Sequence, residues 1–127
     1  VDAERRGLNA RQLLISIRDR TGDDEVAISV ITLLELMHGV VRSNGTARRD
    51  QRQRFLDELV SVLPPRTVMA PVALRAGRID GYSQARGERI ALADLLIGAT
   101  ALDLGYAVAT HNVRHFRKIP DLMVIPL

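Results

Sequence analysis

The sequence predicts an α/β fold: a parallel sheet with helices over both faces. Three observations predict it. Short apolar runs of strand length (VAISV, 26–30; TVMA, 67–70; YAVAT, 106–110; MVIPL, 123–127) are spaced along the chain. Between them lie longer segments with helical spacing of apolar residues, as crossover connections require. The 127 residues, 46% hydrophobic and 26% charged, suit one soluble globular domain spanning 1–127.

Residues 8–20 place Leu13, Leu14 and Ile17 on one helical face, and TGDD follows as a turn. VAISV leads into a helix over about 32–41 that stops in RSNG. A polar helix over 46–62 carries Phe55, Leu56, Leu59 and Val60 inward, with Leu63 just beyond. LPPR breaks the chain before TVMA. Pro71 opens a helix to about Ala85, with Ala73, Ala76 and Ile79 facing the core. After the ARGER loop, the helix in RIALADLLIGATAL (89–102) ends near a capping Gly105. No repeat, linker or low-complexity segment interrupts this order.

Composition narrows the function. No apolar run approaches the roughly 20 residues that span a bilayer. VDAERRG is charged and no apolar leader core follows, so no signal peptide is expected. Without cysteine there is neither a disulfide framework nor a thiolate metal site, and a cytoplasmic protein is expected. Net charge is +3, yet 17 of the 18 basic residues are Arg. The planar guanidinium suits phosphate, although GC-rich coding explains the same bias. Two Tyr and two Phe are too few for a base-stacking surface.

Two acids stand out. Glu35 and Asp94 are each the lone carboxylate in an otherwise apolar stretch, ISVITLLELMHGV (28–40) and RIALADLLIGATAL. A buried carboxylate is costly unless neutralised, paired or metal-bound, so the two suggest one shared site. Ligands of open parallel sheets bind beyond the carboxyl ends of the strands. Glu35 follows one strand, Asn112 follows another, and Asp94 sits on the helix leading into that second strand. Plainer readings exist: Thr32 and Glu35 have capping-box spacing, and Asp94 could be a helix N-cap. Arg114, Arg117 and Lys118 form a basic cluster beside the same edge, a solvated face or a seat for a phosphate backbone. His111 and His115 stand four apart but lack the Glu of a helical zinc motif, so no zinc site is expected. His38 packs or faces solvent, while Asp80, Asp103, Asp121 and residues 23–25 read as surface acids. No Walker, dinucleotide-binding or nucleophile-elbow motif occurs.

The three segments ISVITLLELMHGV, RIALADLLIGATAL and YAVATHNVRHF, in this order, resemble those of PIN-domain ribonucleases, specifically VapC-type toxins of toxin–antitoxin pairs. The resemblance implies a three-layer α/β/α sandwich around a parallel sheet. It implies an endoribonuclease using Mg²⁺, with Mn²⁺ as an alternative, and a VapB-like antitoxin, a homodimer and no membrane. Glu35 and Asp94 match the family's metal-binding acids. Asn112 matches a catalytic position that is Asp or Asn, Thr110 supports it, and Arg114 and Arg117 would hold the RNA backbone. The family's opening strand, ending in Asp, has no counterpart in VDAERRG. These 127 residues are therefore expected to lack a first, central strand and one carboxylate, and to be unstable and inactive alone. A catalytically inactive PIN-like module binding RNA or protein is the alternative. A phosphatase-like or response-regulator-like domain is disfavoured, because its site usually needs a Lys and Lys118 is the only one.

Overall fold

The computed structural model describes residues 9–127. The expectations about the first strand and its carboxylate fall outside these residues. The chain forms two compact units, one ending at Arg66 and one running from Thr67 to Leu127.

In the first unit, α1 (Ala10–Thr21) begins with a capping box: Asn9 accepts from the Gln12 backbone N–H at 2.8 Å, and the Gln12 side chain accepts from the Asn9 N–H at 2.9 Å. β1 (Ile28–Ser29) runs directly into α2 (Val30–Val41). The Ser29 hydroxyl accepts from the Ile31 N–H at 3.1 Å and so caps α2. α3 (Thr46–Val62) follows, and β2 (Pro65–Arg66) pairs parallel with β1, Ile28 opposite Pro65 and Ser29 opposite Arg66. The core is Leu36 and Val40 of α2, Phe55, Leu56 and Leu59 of α3, with Ala10, Ile28 and Leu63. Arg52 of α3 donates to the Gly39 carbonyl at 2.8 Å and so ties α3 to the last turn of α2.

Three expectations change here. The second strand is Pro65–Arg66, not TVMA. Proline tolerates the first position of a strand, where its missing N–H removes no internal bond, and the Ile28 N–H pairs instead with the Pro64 carbonyl at 3.2 Å. The helix after β1 starts two residues before Thr32, because Ser29 takes the capping role; Thr32 and Glu35 lie inside it and form no capping box. Val60 is exposed, since the buried stripe of α3 runs through Phe55, Leu56 and Leu59.

In the second unit, α4 (Ala70–Ala85) has Pro71 in its first turn, where a missing N–H is harmless. Val72, Ala76 and Ser83 are its buried stripe, with Ile79 partly buried; Ala73 faces outward, contrary to expectation. α5 (Leu92–Leu104) ends in a Schellman turn: the Tyr106 N–H reaches the Ala101 carbonyl at 2.8 Å and the Gly105 N–H the Leu102 carbonyl at 3.3 Å. Gly105 has φ 73°, which glycine adopts without a Cβ clash. β3 (Val108–Thr110) pairs parallel with β4 (Val124–Pro126), and between them lies the one-turn α6 (Val113–Phe116). The core joins Val72, Ala76, Ile90, Leu95, Ala99, Val108, Phe116 and Ile119. Among the described residues no helix is long and apolar enough to cross a membrane.

Gly98 lets α5 approach this core closely. A Cβ there would fall on Ile119 Cδ1 and lie 3.3 Å from Leu122 Cδ2, and Ile119 is itself fully buried. Gly98→Val should therefore lower stability by about 1–3 kcal/mol through overpacking. Urea unfolding checks this, and an unchanged midpoint would contradict the close approach.

Candidate active site

The second unit supplies most of the expected site. Asp94 occupies the third position of α5, not its N-cap; that place belongs to Ala91, whose side chain makes no capping bond. In the first turn the carboxylate sits beside unpaired backbone N–H groups, where negative charge is stabilised. Its side chain is 17% exposed, so it is shielded yet open on one side.

β3 delivers Thr110 to the strand end. There the Thr110 hydroxyl accepts from the Asn112 N–H at 3.0 Å and tightens the turn. Asn112 becomes the N-cap residue of α6, and its carbonyl accepts from the His115 N–H at 3.1 Å. Its side-chain amide makes no cap bond and is exposed. Arg114 and Arg117 are exposed on and just after α6, while Phe116 between them is buried and anchors the turn. The Lys118 ammonium donates to the Arg89 carbonyl at 3.1 Å, so it belongs partly to the loop before α5.

One further member, His115, is weighed in the sequence only as a zinc partner of His111 and set aside. His115 Nδ1 lies 3.7 Å from Asp94 Oδ2, with the imidazole half exposed. The four-residue step from His111 points to another partner, and the three-residue step from Asn112 to His115 reads as helix spacing only once α6 is known.

Glu35 belongs to the first unit, in the second turn of α2, and it is exposed rather than buried. The apolar residues around it misled: Leu36 and Val40 turn inward, and Glu35 lies on the other face with Leu34 and Met37. His38 is exposed.

The donor chemistry suits a hard cation. Asp94 offers carboxylate oxygen, and Thr110 and Asn112 offer neutral oxygens at the adjoining strand end. Among the described residues no three His, Cys, Asp or Glu side chains are grouped to hold an ion by themselves. A cation here would keep several waters, as Mg²⁺ and Mn²⁺ do in such sites.

Comparison with known proteins agrees with this architecture. Residues 1–122 match the model of the PIN domain family. Ribonuclease VapC1 of Haemophilus influenzae (strain R2866) is 32% identical over 100 residues, covering 79% of this chain and 72% of the relative. Ribonuclease VapC10 of Mycobacterium tuberculosis is 36% identical over 113 residues, covering 89% and 77%. Among solved structures, VapBC2 from Rickettsia felis, bound to a DNA fragment from its promoter, superposes with a TM-score of 0.78 at 27% identity, covering 90% of this chain and 84% of that one. The chain, with Asp94 on the helix that leads into a short parallel strand and Asn112 just beyond that strand's end, belongs to the PIN-domain family and to its VapC-type members.

Proposed function

We propose that this protein is a metal-dependent endoribonuclease toxin, hydrolysing RNA phosphodiester bonds and held in check by a cognate antitoxin. The relationship to VapC ribonucleases over about four fifths of the chain carries this reading. Asp94 and Glu35 would hold Mg²⁺ or Mn²⁺, directly or through water. When bound, the cation supplies Lewis acidity toward the phosphate and makes an attacking water more acidic.

The chain's own groups do the rest. Asp94, fixed in the first turn of α5, offers negative charge at an edge otherwise rich in donors. Asn112 would orient a water or a phosphate oxygen through its amide, with its backbone held by Thr110. Arg114 and Arg117 would seat the RNA backbone through phosphate contacts, which position the strand without reading its sequence.

A VapB-like antitoxin is the expected partner, since the VapBC family, to which a similar solved structure from Mycobacterium tuberculosis belongs, is one of toxin–antitoxin systems. Leu34, Met37 and Val41 form an exposed apolar stripe on α2, at i, i+3 and i+7, which suits an antitoxin segment or a second copy in a homodimer. A cytoplasmic location follows from such a partner and substrate.

The test is RNA cleavage by the full-length protein and its Glu35→Gln and Asp94→Asn variants across a Mg²⁺ series. Cleavage that survives both substitutions and chelation would overturn the metal-dependent reading, and no cleavage by the unaltered protein at any Mg²⁺ concentration would favour an inactive PIN-like binding module. Asn112→Asp should be tolerated and should tighten Mg²⁺ binding, since a carboxylate adds charge to the same geometry; calorimetry reads the affinity. Loss of both affinity and cleavage would contradict the role given to Asn112.

A further inference from the structure

We propose that His115 is a direct metal ligand, making with Asp94 a mixed nitrogen–oxygen pair that favours Mn²⁺ over Mg²⁺. The juxtaposition of His115 Nδ1 and Asp94 Oδ2, 3.7 Å apart, carries this. The inference rests on the metal-dependent reading above and adds to it a ligand and a preference among cations.

The separation is informative. At 3.7 Å the imidazole is too far to hydrogen-bond the carboxylate, whose N–H···O contacts close near 2.9 Å. Two donors each about 2.1–2.2 Å from one shared ion stand roughly 3.0–3.8 Å apart, depending on the angle between them. The observed gap lies in that range, so both atoms can reach one ion with little rearrangement.

The backbone on both sides holds the pair. Asp94 is in the first turn of α5. His115 sits on α6 beside Phe116, whose ring is buried in the second unit's core, and the His115 N–H is tied to the Asn112 carbonyl. Both residues belong to the same compact unit, so the pair does not depend on Glu35. The difference in exposure suits the roles: the shielded carboxylate stays in place, and the half-exposed imidazole can turn toward an ion arriving from solvent.

Chemistry then sets the preference. Mg²⁺ takes oxygen donors almost exclusively and releases water reluctantly. Imidazole nitrogen suits transition-metal ions, and Mn²⁺ accepts carboxylate as readily as Mg²⁺ does. Adding one nitrogen donor beside Asp94 therefore strengthens Mn²⁺ binding with little effect on Mg²⁺.

The experiment uses full-length protein freed of antitoxin, loaded with Mn²⁺, and read by pulsed electron paramagnetic resonance and calorimetry. The bound Mn²⁺ should show coupling to an imidazole ¹⁴N. His115→Ala should abolish that coupling and weaken Mn²⁺ binding by about 10-fold or more, leaving Mg²⁺ affinity nearly unchanged. His111→Ala should retain the coupling. Circular dichroism establishes that each variant is folded, and His115→Gln, similar in reach, provides a second variant if His115→Ala is not. Mn²⁺ that binds, depends on Asp94 and shows no ¹⁴N coupling would overturn the ligand role of His115 and leave the nuclease reading standing. Failure of Mn²⁺ and Mg²⁺ to bind at all would overturn both.

Discussion

Asp94→Asn should reduce RNA cleavage by the full-length protein about a thousandfold or more while leaving the fold intact. The expected size follows from what the charge does. Charge stabilisation of a phosphoryl transition state by a cation amounts to several kcal/mol, and each 1.36 kcal/mol is tenfold in rate. Asparagine keeps the size and planarity of the side chain but removes the charge that would hold the cation. The fold should tolerate the change because Asp94 makes no hydrogen-bonded cap and caps no strand; its structural contribution is the favourable charge at the start of α5, worth about 0.3–1 kcal/mol. Single-turnover cleavage with saturating RNA, run beside thermal unfolding, separates the two effects. Near wild-type cleavage at low Mg²⁺ would remove Asp94 from the chemistry.

Phe116→Ala should cost about 3–5 kcal/mol of stability, a large part of the 5–15 kcal/mol typical of a whole domain. Phe116 is 4% exposed and is the only buried residue of α6. One helical turn has no stability of its own, so α6 holds its place through this ring and the backbone bonds that the Asn112 carbonyl accepts. Its loss should also unseat Asn112, Arg114 and His115 together, so cleavage should fall even at temperatures where the protein remains folded. Urea denaturation with Phe116→Leu as the milder control measures the stability term. A loss below about 1 kcal/mol would mean that the other core residues collapse into the space without cost.

The lesson of Glu35 and Asp94 concerns neighbours. Both acids stand alone in apolar stretches, and the sequence makes them look alike. Asp94 is shielded in the folded unit, while Glu35 is exposed, because α2 buries only the stripe through Leu36 and Val40. An apolar helix with apolar residues left over on its outer face gives the same local composition as a buried one. Only the packing partner on one side distinguishes them, and that partner, α3, is remote in sequence.

Capping shows the same limit at smaller scale. Ser29 and Thr32 both precede apolar helical sequence, and both could cap α2. The choice falls to Ser29 because β1 pairs with Pro65–Arg66, which fixes where the extended backbone ends. The pairing partner likewise moved the second strand from TVMA to Pro65–Arg66.

Local sequence was sufficient for what depends on local chemistry. The alternation of apolar runs and helical periods specified an α/β chain with parallel pairing. Gly105 specified the end of α5 and Pro71 the start of α4, since backbone geometry at those positions is nearly independent of surroundings. The ordered motifs around Glu35, Asp94 and Asn112 specified the family. Tertiary structure alone decided what depends on contacts between distant segments: the shielding of Asp94 against the exposure of Glu35, and the approach of His115 to Asp94 across 21 residues of chain. Hydrophobic burial and through-space approach are properties of pairs of segments, and no window along a single segment contains them.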